Sequence, residues 1–368
     1  MDATMVTSLL DTLDAVVWNA NYWLPRGMEW EDLHPRDGGV YPEFRDILVV
    51  PVILSILLIL FRSYILNPLI LEPIAKYWQL PYRRHKPLPQ IPQLETRYLE
   101  SKGVMPRKVL EKTSVSLQMS KRQVESWLRK RSNVGKLSKL DKFQDSSFIL
   151  LYHTLITAYG CYVMLSKPWL WDITICYQNF PYHQVDTQLW WYYMIGCAFY
   201  WEQTIWQFRY SHGKDANLAY LHHICTIFLL VCSWKCNYVR VGSIILFVHE
   251  CGDIPLQLGR ILRYFKEERV IDYVFASFVI LWVCTRLVLY PFWILRSLFV
   301  DMPRYADLPS MTVFYVLLLL LFGMNVVWSW WIGYGVYKRL VKGVVENVVS
   351  SDDGGSSTDT HDTSRKLE

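Results

Sequence analysis

Residues 217–259 read NLAYLHHICTIFLLVCSWKCNYVRVGSIILFVHECGDIPLQLG. Two apolar runs of membrane-spanning size meet there at a short polar turn, and each carries ionisable side chains where hydrocarbon is expected. His222 and His223 interrupt the first run; His249, Glu250 and Asp253 interrupt the second. A charged group near the bilayer centre costs on the order of 3 kcal/mol, so such residues point to function unless something else holds them. Capping or anchoring accounts for one histidine at a helix end, but not for five ionisable residues on consecutive segments. Residues three and four apart share a helical face, so His249, Glu250, Asp253 and Gln257 fall within an arc of roughly 100°, and Leu256 faces elsewhere. His222, His223 and Thr226 form a matching stripe. If the first helix starts near Leu218 and the second ends near Leu258, His222 and Asp253 both lie roughly 6 to 8 Å inside one same membrane face, at ~1.5 Å per residue.

The paired histidines, the Asn237-Tyr238-x-Arg240-x-Gly242 turn and the downstream His-acid-x-x-Asp resemble the Lag motif of ceramide synthases, and the resemblance extends from about Ile47 to Lys338. It departs in one place: the family pattern usually has Asp directly after the last histidine, and here stands Glu250. The resemblance implies an all-α, polytopic membrane protein of TLC type with about seven transmembrane helices and a small cytosolic homeobox-like helical segment. It also implies the reaction, acyl transfer from a fatty acyl-CoA to the amine of a sphingoid base, giving ceramide in the endoplasmic reticulum membrane.

Composition supports a membrane protein independently. Of the 368 residues 52% are hydrophobic and 15% aromatic, with 17 Trp, more than soluble domains carry. The eight cysteines lie mostly in apolar runs, without CxxC spacing, so a disulfide scaffold is not expected. Met1 to Leu33 lacks the basic start of a cleavable signal peptide.

Loop charge orders the chain. Residues 1–46 hold 3 Lys/Arg against 9 Asp/Glu, with Trp18, Trp23 and Trp30, which suits a luminal, interface-lying lead-in. Residues 47–66 form the first span, with Arg62 snorkelling at its end. Residues 67–147 hold 17 Lys/Arg against 7 Asp/Glu and belong in the cytosol. There, Pro81 to Pro92 reads as an extended linker, and Arg107 to Lys112 and Ser120 to Ser132 read as helices. The second of these resembles the third helix of a homeodomain, but Lys130 stands at the base-reading position and no first helix is evident. No specific DNA binding is expected, only contact with anionic headgroups or the protein's own cytosolic face. Residues 148–338 form the TLC-type domain, with further runs at Phe148–Leu165, Leu189–Phe208, Leu218–Trp234, Val239–Leu258, Asp272–Leu295 and Thr312–Tyr337. Residues 339–368 are a cytosolic tail, polar enough from Ser350 to be disordered, with Ser350 and Ser351 before two acids as phosphorylation candidates. The N-terminus is thus luminal and the C-terminus cytosolic.

The catalytic candidates are His222, His223, His249, Glu250 and Asp253. A histidine can act as general base or nucleophile, and a carboxylate on its other nitrogen fixes tautomer and orientation. With the resemblance, His222 accepts the acyl group or acts as base, His223 assists, and Asp253 with His249 and Glu250 orients and balances charge. Glu250 reaches the same partner as Asp253 from the edge of the stripe. Glu202, Trp206, Thr226, Asn237, Tyr238 and Arg240 are the substrate-binding candidates. Glu202 alternatively pairs with Arg209 or a hydroxyl, and Arg240 snorkels or pairs within its loop. Arg286, mid-span, requires a partner that the sequence does not name. No cofactor or metal is expected beyond acyl-CoA as co-substrate. The partners are fatty acyl-CoA, a sphingoid base, membrane lipids and, as a further option, a homo- or hetero-dimer with related synthases. Di-iron chemistry would need about eight clustered histidines, whereas this chain has nine in all, of which His34, His85, His183 and His361 fall outside plausible sites. A non-enzymatic TLC-type lipid transporter or sensor is the alternative.

Overall fold

Hydrocarbon offers no partner to backbone N–H and C=O groups, so a lone segment crosses it only as a helix. The computed structural model describes residues 15–33, 40–80, 89–101, 105–132, 137–210, 216–265 and 268–342, and these contain helices and no strands. The expectations for the 81–88 linker and the 343–368 tail lie outside the described residues.

Among the described residues, six helices are long and apolar enough to cross a membrane: Phe44–Tyr77, Lys139–Met164, Ala216–Lys235, Val239–Leu262, Arg269–Arg304 and Met311–Val341. We call the first α1. A seventh long helix, Thr187–Tyr210, has 24 residues, or roughly 36 Å at ~1.5 Å per residue. Its central polar residues lower its hydropathy, but Glu202, Gln203 and Thr204 are buried inside the bundle, and the helix packs along α1. The expected seven runs are therefore seven long helices. The first is longer than expected, continuing past residue 66 to Tyr77.

The remaining labels follow the chain. Helices α2 (Pro92–Glu100), α3 (Arg107–Ser116) and α4 (Lys121–Ser132) form a small unit with its own core of Leu94, Leu110, Val124 and Trp127. Helix α2 was not evident from sequence; Pro92 opens it at a position that needs no N–H donor. Glu95 accepts both Arg131 Nε and Nη2, and that hydrogen-bonded guanidinium holds its carboxyl below the usual carboxylate range. Lys130 is exposed on α4.

The bundle continues with α5 (Lys139–Met164), α6 (Thr187–Tyr210), α7 (Ala216–Lys235), α8 (Val239–Glu250), α9 (Asp253–Leu262), α10 (Glu268–Trp282) and α11 (Met311–Lys342). Ser138 and Asp141 close a reciprocal capping box at the start of α5. Two stretches are widened to π-helix, Phe61–Leu71 within α1 and Val283–Leu295 following α10. Each contains a proline, which cannot donate to the ladder, and one buried arginine.

Arg62 is the first of these arginines, and the structure corrects the snorkelling expectation. It is fully buried, bonding Glu202 at 2.9 Å and Asp145 at 2.5 Å, with its guanidinium 3.7 Å from the Trp206 ring centroid and 4.7 Å from that of Phe148. The π-helical turn points the arginine into the bundle, where two carboxylates compensate it better than a distant interface could. It ties α1 to α5 and α6.

At the opposite end, the lead-in packs onto the bundle rather than lying apart from it. Trp18, Trp30 and Phe44 surround Lys235 Nζ, with ring centroids at 5.8, 4.2 and 4.4 Å. The Trp23 carbonyl accepts from Ser310, and its ring meets Phe314 edge-on. Asn237, in the left-handed region at φ 58°, turns the chain between α7 and α8, and its amide donates to the Pro181 and His183 carbonyls. The His183 ring itself pairs with the Gln178 carbonyl, and burial pushes that imidazole down to about 4.

Breaking a buried pair by removing one partner costs about 3–5 kcal/mol, because the other charge stays behind. Arg62→Met should therefore lower the melting temperature in detergent, and Arg62→Met with Glu202→Gln should recover much of the loss. Equal melting of the single and double variants would contradict the pairing.

Candidate active site

Helices α7 and α8 line an apolar cavity with α6 and α11. His222, His249 and Tyr200 line one end, and Tyr238, Phe314, Met311 and Leu298 line the other. From His222 to Ser233 along α7 is roughly 16 Å at ~1.5 Å per residue, so the cavity is a tunnel for a long apolar group.

The turn sequence has a physical reason at Gly242. A Cβ there would stand 1.8 Å from Tyr193 Oη, which shares a 2.6 Å hydrogen bond with Ser233. Only glycine lets α8 approach that hydrogen-bonded wall.

At the polar end, His249 Nδ1 lies 2.7 Å from the Ile245 carbonyl. A carbonyl only accepts, so Nδ1 carries the proton and Nε2 is left as the basic nitrogen, buried and without a protein partner. The ring stands edge-on against Tyr290. His222 is half-buried beside Trp328, with ring centroids 5.4 Å apart, and Thr226 donates back to the His222 carbonyl. The His222, His223 and Tyr200 rings form a triangle, with the histidine centroids 6.3 and 5.8 Å from that of Tyr200 and 5.9 Å from each other. His222 lines the cavity; His223 does not.

The acids depart from the single helical stripe expected. Helix α8 ends at Glu250 and α9 begins at Asp253, so the two carboxylates belong to different helices and have different partners. Asp253 accepts from Arg286 Nη2 at 3.2 Å; the same nitrogen donates to the His249 carbonyl at 2.8 Å, and Nη1 reaches Asn325 at 3.4 Å. That names the partner the sequence left open for Arg286. Glu250 Oε2 instead stands 2.5 Å from His153 Nδ1, on α5. His153 was missed because it is one histidine in an otherwise apolar helix, 97 positions from its partner.

The substrate-binding candidates separate. Thr226 and Tyr238 line the cavity. Glu202 and Trp206 are engaged with Arg62, and Glu202 also accepts from Gln203, away from the histidine cluster. Asn237 holds the turn, and Arg240 donates to the Ile175 carbonyl and lies over the Trp169 ring, satisfying its loop-pairing alternative. Among the described residues, no group of three or more His, Cys, Asp or Glu side chains is arranged to hold a metal ion.

Fold and site together define a multi-pass membrane protein built around an intramembrane tunnel that ends in histidines. A profile of the TLC domain matches residues 142–333. Ceramide synthase 5 of Homo sapiens is 33% identical over 364 residues, covering 96% of this chain and 91% of its own. Ceramide synthase hyl-2 of Caenorhabditis elegans is 29% identical over 346 residues, covering 90% and 91%. The chain belongs to the ceramide synthase family of TLC-domain membrane proteins.

Overpacking a filled core typically costs about 1–3 kcal/mol. Gly242→Ala should lower thermal stability by that order and push the Tyr193 ring into the cavity, and adding Tyr193→Phe should restore part of the loss. An unchanged melting curve for Gly242→Ala would contradict the close approach.

Proposed function

We propose that this protein is a sphingoid-base N-acyltransferase, moving a fatty acyl group from acyl-CoA to the amine of sphinganine or sphingosine to give (dihydro)ceramide. The observation that carries this reading is the tunnel with an apolar body and a histidine-lined mouth. It fits an acyl tail along its length and brings the thioester to the histidine end. Glu202 and Arg240, held in their own contacts, are not needed for this.

His222 attacks the thioester or takes the amine proton, His223 assists, and His249, Glu250 and Asp253 orient and balance charge. We favour attack by His222, because CoA then leaves before the second lipid arrives and two bulky substrates need not share one tunnel. The C–S bond breaks as the acyl group passes to nitrogen, and CoA departs as the thiol. No cofactor takes part. Loop charge supports a luminal N-terminus, a cytosolic C-terminus and a histidine end facing the cytosol, where CoA is soluble, in the endoplasmic reticulum membrane. The α2–α4 unit then lies in the cytosol, where Lys130 and its neighbours meet anionic headgroups or the protein itself without reading a DNA sequence. Pairing with a second synthase is compatible with this arrangement. No specific observation favours a non-catalytic carrier or sensor.

The test is detergent-solubilised protein supplied with sphinganine and acyl-CoAs of graded length. Amide product is expected, with a preferred length that shortens in Leu298→Trp, because Leu298 lines the end of the tunnel away from the histidines. Absence of product overturns the reading, and an unchanged length profile in Leu298→Trp removes the tunnel from it.

A further inference from the structure

The lead-in that precedes the first span touches the tunnel wall without being part of the lining. Phe314, on α11, lines the tunnel. It lies roughly 21 Å along that helix from Trp328, the residue beside the His222 ring, at ~1.5 Å per residue. The Trp23 indole stands edge-on against the Phe314 ring, with centroids 6.3 Å apart and planes at 89°. The same Phe314 ring meets Tyr238, another lining residue, at 5.2 Å. A wall residue and a lead-in residue thus position it together.

Trp23 is itself firmly held. It is 5% exposed, its Nε1 donates to the Val17 carbonyl at 2.7 Å, and its ring packs on Trp18 with centroids 5.1 Å apart. Its carbonyl accepts from Ser310 Oγ at 3.2 Å; Ser310 is fully buried and directly precedes Met311, which also lines the tunnel. Trp18 and Trp30 sit with Phe44 on Lys235 Nζ, at the end of α7, and Trp30 Nε1 donates to the Trp18 carbonyl at 2.8 Å. A cation over aromatic faces is a firmer tie when desolvated. The Arg26–Asp307 pair is exposed and adds little. Buried contacts therefore clamp the lead-in to the end of α7 and the start of α11.

Interiors are close-packed, so a wall side chain retreats only where the layer behind it leaves room. We infer that Trp23 is a positioning residue for acyl length: it holds the Phe314 ring in the wall and so limits the tail that the tunnel accepts. This rests on the reading that the tunnel binds the acyl group. The lead-in is then a second layer of the tunnel's end, acting through Phe314 and without touching the substrate.

The test supplies full-length protein in detergent with sphinganine and an equimolar mixture of acyl-CoAs of graded length, and resolves the amides by mass. Trp23→Ala leaves an apolar void beside Phe314, and such voids stay dry and take up apolar groups. A methylene discriminated by an apolar pocket is worth about tenfold or more, so the ratio of the next longer amide to the preferred one should rise by about that factor. The ratio within one variant is independent of how much of it has folded. Trp23→Phe keeps a ring near Phe314 and should shift the ratio the same way by less; it decides the matter where Trp23→Ala yields no folded protein. Trp30→Ala loosens the lead-in at Lys235 without contacting Phe314 and should leave the ratio unchanged. An unchanged ratio in the Trp23 variants, or an equal rise in Trp30→Ala, overturns the proposal alone when Leu298→Trp still shortens the product. Unchanged profiles in both the Leu298 and Trp23 variants overturn the tunnel reading as well, and absence of amide from the unsubstituted protein overturns acyl transfer itself.

Discussion

A charge inside a membrane protein must be compensated by the protein itself, and this constraint organises the whole molecule. Arg62 and Arg286 are both buried, each in a π-widened stretch, and each fixes several helices by needing several acceptors. Arg62 joins the first span to α5 and α6 through Asp145 and Glu202. Arg286 joins the break between α8 and α9 through the His249 carbonyl and Asp253, and so sets the position of the histidine whose Nε2 remains open. Without Asp145 and Glu202, or without Asp253, the corresponding guanidinium would lose its carboxylate partners inside the bundle.

The tunnel follows from that framework. Its walls are held close by small residues and local hydrogen bonds, with Gly242 against Tyr193 and Ser233, and its far end is lined by Phe314, on which the Trp23 ring packs. Polarity is concentrated at one end. The paired histidines separate, His222 lining the apolar tunnel and His223 standing outside its lining. Adjacent residues on a helix differ by about 100° in direction, so a double histidine divides in this way by geometry alone.

Much of this was legible in the sequence. The long helices follow from apolar length, and His222, His223, His249, Glu250 and Asp253 stand out because hydrocarbon penalises them. The partners did not. Arg62 and Glu202 are 140 positions apart and Arg286 and Asp253 are 33 apart; helical periodicity relates neighbours on one helix but not contacts between helices. The stripe drawn through Glu250 and Asp253 assumed an unbroken helix, and the turn at Cys251 and Gly252 separates them. Helix α2 escaped notice because nine mostly polar residues in a basic region give little apolar pattern, although Leu94 anchors it.

The account's central claim is that the tunnel delivers an acyl group to His222. Intact-mass spectrometry of the purified protein, incubated with acyl-CoA and no amine, tests it most directly. The account predicts one added acyl mass, located on the peptide carrying His222, absent in His222→Ala and discharged by sphinganine. Continued turnover of His222→Ala, or an adduct mapping to another residue and discharged equally well, would contradict it.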